Sequence, residues 1–171
     1  RRTGLARSEI ELYGKLAIPL DDGTTFTLRG YADRIDVLAS GDGEIIDYKT
    51  GHIPSAPEIK AGFAPQLPLE AAMLRKGAFT AIGALDVRDA MHVKLGTAEA
   101  INPVTISKTG NVHEMADNAL DGLVVLLNQF RDPQTPYLAR PYPQFARRFS
   151  DYDHLARVKE WSAGAGGEGS E

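Results

Sequence analysis

The sequence predicts an α/β domain, a central mixed sheet flanked by helices, whose N-terminal part is an antiparallel meander. Three observations carry this. Apolar and polar residues alternate along Glu9 to Leu20 and again beyond Thr25, with glycine-containing turns between the runs. A compact helical stretch then falls at Pro65 to Lys76, ahead of a further apolar strand pattern. Finally, Val112 to Phe130 carries apolar residues at helical spacing over a long run.

In the first strand, Ile10, Leu12, Leu16 and Ile18 are expected on one face and Glu11, Tyr13 and Lys15 on the other. Asp21-Asp22-Gly23-Thr24 reads as a tight turn, with glycine where a positive φ is tolerated. Thr25 to Ala39 resumes as a strand, with Gly30 as a bulge or a point of close approach. Ser40-Gly41-Asp42-Gly43 turns again, and Glu44 to Lys49 forms the third strand. Gly51 to Pro57 reads as a loop. The Pro65–Lys76 helix places Gln66, Glu70 and Met73 on one face, and Pro68 in its first turn costs little. Ala84 to Leu95 reads as a strand, and Ala98 to Ser107 as an extended edge segment because of Pro103. The long helix has a stripe of Met115, Ala119, Leu123, Leu126, Leu127 and Phe130, read as core. Asp132-Pro133 ends it. An irregular arm over Tyr137 to Arg148 and a short helix over Tyr152 to Trp161 are expected to follow. Residues 1–161 are thus read as one domain, and the Gly/Ser/Glu-rich residues 162–171 as a disordered tail.

At 171 residues, 43% hydrophobic and 25% charged, the chain can bury a sizeable core. It has no cysteine, which excludes disulfides, thiolate zinc sites and cysteine-held iron–sulfur clusters and fits a reducing, cytoplasmic setting. No apolar run is long enough to span a membrane. The opening Arg1-Arg2-Thr3-Gly4 lacks both a methionine and the apolar core of a signal peptide, and reads as part of a longer protein. The net charge of −4 argues against nucleic-acid binding through bulk charge, although acids that hold a metal contribute to that sign.

The chemistry concentrates in Asp47-Tyr48-Lys49, directly after Ile45-Ile46. Residues two apart on a strand share a face, so a carboxylate able to hold a divalent cation stands beside an ammonium able to neutralise a developing anion. Taken alone, Asp-x-Lys is as readily a solvated strand face. A second acid, Asp33, lies on the preceding strand within Gly30-Tyr31-Ala32-Asp33-Arg34-Ile35-Asp36, and the apolar lead-in suggests a buried strand where free charge is costly. Asp33 and Asp47 are therefore the expected metal carboxylates, with the Tyr48 backbone carbonyl as a third ligand and Lys49 beside the attacking water or the phosphate. Asp36, three residues beyond Asp33, is expected on the other face, paired with an arginine.

These residues, with Gln66-Leu67-Pro68-Leu69-Glu70, resemble the RecB-type nuclease domains of the PD-(D/E)xK superfamily over roughly Glu9 to Leu74. The arm from Tyr137 and the stretch Asp151 to Arg157 look more narrowly like the C-terminal nuclease domain of AddB-type proteins. The resemblance implies a restriction-endonuclease-like core and Mg²⁺-dependent DNA cleavage, with Mn²⁺ as a substitute. It implies catalytic roles for Asp33, Asp47, Lys49 and Gln66, and metal binding by Asp33, Asp47 and Tyr48. It also implies single-stranded DNA as substrate, an AddA-type helicase subunit as partner, and a role in processing double-strand breaks. Two departures stand out. The family often has tyrosine four residues after the glutamine, where this chain has Glu70, which could touch the metal through water. AddB-type proteins often carry an iron–sulfur cluster, which the absence of cysteine removes here. A scaffold without activity and a stand-alone exonuclease are the rival readings.

The family's upstream His or Glu ligand has only weak substitutes in Glu9 and Glu11, both expected on an exposed strand face. His52, His92, His113 and His154 show no metal-ligand spacing, and His52 is read as a solvated loop residue. Lys60, Arg75 and Lys76 are read as exposed helix charge. Arg140, Arg147 and Arg148, with Tyr142 and Phe145, are read as a docking arm.

Overall fold

A computed structural model of the chain describes residues 4–96, 104–108 and 110–136. Two compact units are distinguished, Arg1–Asp132 and Pro133–Glu171, and every described helix and strand belongs to the first. The expected arm, the short helix, the tail and the Ala98–Pro103 half of the edge segment lie outside the described residues.

Among the described residues the sheet has five strands in the order β1-β2-β3-β4-β5. β1 (Leu5–Pro19) and β2 (Thr25–Leu38) form a long antiparallel hairpin. Its turn is closed by Asp22, whose Oδ1 accepts from the Thr24 backbone N–H at 2.9 Å and the Thr24 hydroxyl at 2.6 Å, while Gly23 takes a φ of 80°. β3 (Gly43–Lys49) pairs antiparallel with β2 and parallel with β4 (Val87–Lys94). The parallel pair requires a crossover, and α1 (Ala56–Lys60) and α2 (Gln66–Arg75) supply it. The expected loop Gly51 to Pro57 overlaps the start of α1 at Ala56 and Pro57. β5 is described at Val104–Thr105, and a 3₁₀ turn follows at Ile106–Lys108, where the sequence suggested an extended segment as far as Ser107. α3 (Val112–Gln129) closes the order, its N-terminus capped by the Asn111 side chain, which accepts from the His113 and Glu114 backbone N–H groups.

α2 is the central element of the core. Leu67, Ala71, Ala72, Met73 and Leu74 are all buried, as is Phe79 just beyond, and they meet Ala32, Ile35, Ile45 and Ala90 of the sheet. Glycines let it settle closely. A Cβ on Gly14 would stand 2.6 Å from a Phe79 ring carbon, and one on Gly43 would stand 2.7 Å from Leu74 Cδ2. Gly30, expected to be the bulge or close approach, is neither: its register with Gly14 is regular and nothing lies near its missing Cβ. The contact falls on its cross-strand partner.

Strict alternation breaks midway along the hairpin. Ala32 and Ile35 are both fully buried in one cluster although three residues apart, which a regular strand cannot do. Between the pairs Ile10↔Arg34 and Leu12↔Ala32, Glu11 has a φ of 50°, so the ladder re-aims its side chains at this point. Ile10, expected in the core, is consequently 70% exposed.

α3 packs against α2, and Arg75 ties them by donating to Asp117 Oδ1 at 2.6 Å and to the His113 carbonyl oxygen at 3.3 Å. Arg75 is therefore a clasp rather than free helix charge. The α3 stripe is not wholly core. Only Val112 and Ala116 are buried, whereas Leu126 and Phe130 are exposed, because the apolar face runs past the end of the helix it covers. No described helix is long and apolar enough to cross a membrane.

Candidate active site

Gly43 to Lys49 is short, apolar at Ile45 and Ile46, and central in the sheet, so its last residues emerge at the strand end beside the start of α2. There the chain buries a charge. Asp47 is 3% exposed, and both its oxygens are engaged. Oδ1 accepts from Lys49 Nζ at 2.9 Å and from Gln66 Nε2 at 2.6 Å, and Oδ2 faces His92 Nδ1 at 2.9 Å. Lys49 Nζ also donates to Gln66 Oε1 at 2.8 Å, closing a three-membered ring of polar contacts. Burial pushes the Asp47 carboxyl upward. The hydrogen bonds from His92 and Lys49 and the charge of Lys49 outweigh it, so the group ends below its ordinary value and ionised.

Gln66 reaches one step further. Its Nε2 donates to Glu70 Oε1 at 3.1 Å, so one amide bridges the Asp47 carboxylate on β3 and that of Glu70, one helical turn on from Gln66. Glu70 is 7% exposed, and its Oε2 accepts nothing. Burial, opposed only in part by the Gln66 hydrogen bond, and then the charges of Asp47 and Asp33 push its carboxyl up to about 7.

Asp33 is exposed and its Oδ2 accepts from the Tyr48 backbone N–H at 2.8 Å. This bond carries the β2–β3 contact past the last paired residues, Arg34↔Ile46, and fixes Asp33 at the same strand end as Asp47. Asp36 is buried and takes a bidentate contact from Arg34, at 2.7 Å from Nε and 3.0 Å from a terminal nitrogen, together with the Ser8 hydroxyl. It belongs to a separate arginine pair. His52 is exposed, 3.6 Å from Glu58.

The structure thus brings Asp47, Lys49, Gln66 and the Tyr48 backbone together with Asp33. His92 was not picked out by sequence spacing. It enters because β3 and β4 run parallel in a register that sets His92 beside Asp47. No local signal carries that register. Among the described residues, no three His, Asp or Glu side chains converge as a closed metal cage.

A family model described as the PD-(D/E)XK nuclease superfamily matches residues 2–152. The chain belongs to this superfamily. Its mixed sheet with helices alongside is the restriction-endonuclease-like α/β core the superfamily leads one to expect. Among curated proteins, uncharacterised proteins of Rickettsia are similar: one from Rickettsia typhi is 33% identical over 60% of this chain and 13% of its own length. Another, from Rickettsia conorii, is 37% identical over 51% of this chain and 10% of its own. The chain therefore spans about a tenth of the length of the relatives it matches. Among solved structures, the crystal structure of SSO0001 is similar with a TM-score of 0.40 and 19% identity, over 69% of this chain and 50% of that one. Nucleases of the superfamily generally use divalent metals, and the residues here suit one. The donors are hard carboxylate oxygens, and a buried carboxylate oxygen with no partner stands beside an ionised aspartate.

Proposed function

We propose that this chain is a Mg²⁺-dependent deoxyribonuclease module acting on single-stranded DNA, within an AddB-type helicase–nuclease that processes double-strand breaks. The observation that carries the reading is the position of Lys49 Nζ, 2.9 Å from Asp47 and 2.8 Å from Gln66 in a half-buried setting. A structural surface lysine does not need two partners that both belong to the same motif set.

In this reading Asp33, Asp47 and the Tyr48 carbonyl hold the cation, which supplies positive charge for the scissile phosphate. Lys49 keeps an ammonium at the strand end, where it binds a phosphate oxygen or orients the attacking water. Gln66 fixes the Lys49 side chain from the opposite side, so the ammonium does not have to reorganise as charge develops. Water oxygen bonds to phosphorus and gives up a proton to solvent, the phosphodiester P–O bond breaks, and the leaving oxygen takes up a proton from solvent. Buried His92 holds the far oxygen of Asp47 and so sets the direction of its remaining lone pairs. The great length of the relatives compared with the matched segment supports a module within a larger machine, where a helicase subunit could deliver the strand.

The test is cleavage of labelled single-stranded and duplex DNA in Mg²⁺, Mn²⁺ or chelator. Cleavage should require the cation, prefer single strands, and fall by about 100-fold or more in Lys49→Ala. Equal cleavage by Lys49→Ala would overturn the reading.

A further inference from the structure

Glu70 has no use in the roles just given to Asp33, Asp47, Lys49 and Gln66. It is 7% exposed on α2, one of its oxygens accepts from Gln66, and the other accepts nothing. A buried carboxylate oxygen without a partner is costly, and an apolar side chain would fill the same place without that cost. The Gln66 amide nitrogen lies 2.6 Å from Asp47 Oδ1 and 3.1 Å from Glu70 Oε1, so the two acids flank a single small positive-end dipole. Asp47 Oδ2, which faces His92, keeps a second lone-pair site.

We propose that Glu70 is a direct ligand of the divalent cation through Oε2, paired with Asp47 across Gln66. This rests on the reading of the strand end as a metal site, and extends it to a residue on the helix. Carboxylates completed by water and substrate phosphate oxygens are an ordinary set for Mg²⁺, which keeps several waters and does not require a closed protein cage.

The experiment is calorimetric titration with Mn²⁺, together with thermal unfolding in chelator and in Mn²⁺, on the wild-type chain, Asp47→Asn, Glu70→Gln and Glu70→Met. The wild type should bind Mn²⁺ and melt higher with it. Glu70→Gln should melt as high as wild type or higher in chelator, because the buried charge is gone, yet lose Mn²⁺ affinity by about tenfold or more and lose the metal-induced rise in melting temperature. Glu70→Met, which removes all polar atoms, should do the same and covers the case of an amide that disturbs folding. Wild-type affinity in the Glu70 variants, with binding lost in Asp47→Asn, would overturn the proposal and leave the metal site standing. No Mn²⁺ binding by the wild type would overturn both.

Discussion

Three donors converge on Asp47, from Lys49, Gln66 and His92, and each satisfies an oxygen that is otherwise cut off from water. His92 is itself 1% exposed, so its loss cannot be made good by solvent. His92→Leu should therefore lower unfolding stability by about 1–3 kcal/mol in urea denaturation. His92→Asn, whose amide can place a donor near the same point, should recover part of it. Glu70 makes a prediction of opposite character. Its carboxyl titrates near 4.5 when free and near 7 when folded. The folded protein holds the proton more tightly, so Glu70 is least costly below pH 4.5. Its contribution declines as the pH rises, levelling above about 7, with a swing on the order of 3 kcal/mol. Asp47, with its lowered value, acts in the other direction at lower pH. The clean readout is then the difference between wild type and Glu70→Gln in chelator. That difference should grow in favour of the variant from pH 4.5 to 7.

At the scale of elements, the site depends on how closely α2 approaches the sheet, and the glycines decide that. A methyl group at Gly14 would fall 2.6 Å from the Phe79 ring and 2.7 Å from Met73 Cε. Gly14→Ala should cost about 1–3 kcal/mol by overpacking, and the cost should shrink in the Gly14→Ala, Phe79→Leu double variant. A non-additive double-mutant cycle in chemical denaturation would show it. The sequence makes some of this organisation legible. Alternation from Glu9 and the Asp22-Gly23 turn mark the hairpin, and Ile45-Ile46 before Asp47 marks a central strand. The switch of faces at Glu11 is not legible, because a positive φ at a glutamate has no compositional sign. Ile10 was misplaced for that reason. Nor does any spacing announce His92: its pairing with Asp47 is fixed by the register of two strands joined through a helical crossover. The α3 stripe misleads in the other direction, since apolar periodicity shows which face is apolar and not how far along the helix a neighbour extends.

For the molecule as a whole, charge works against the proposed substrate. The chain carries 23 acidic and 19 basic side chains, and Asp33, Asp47 and Glu70 cluster where a phosphate would have to lie, with Lys49 among them. A polyanion approaching that end of the sheet meets repulsion unless a cation is already held there. The cation then has two tasks, admitting the phosphate and enabling its hydrolysis, and the first can be measured without the second. In chelator, fluorescently labelled single-stranded DNA should bind weakly. With Ca²⁺ as a cation that need not support cleavage, the anisotropy titration should show affinity higher by about tenfold or more, a gain of roughly 1.4 kcal/mol. With Lys49 and the bound cation as the groups argued to meet phosphate, the dependence on salt should be shallow. A log–log slope of about −2 would correspond to roughly three phosphates at ~0.7 each. A steep slope that persists in chelator would mean that the strand is held by a basic surface away from Asp47, and that metal serves only the chemical step.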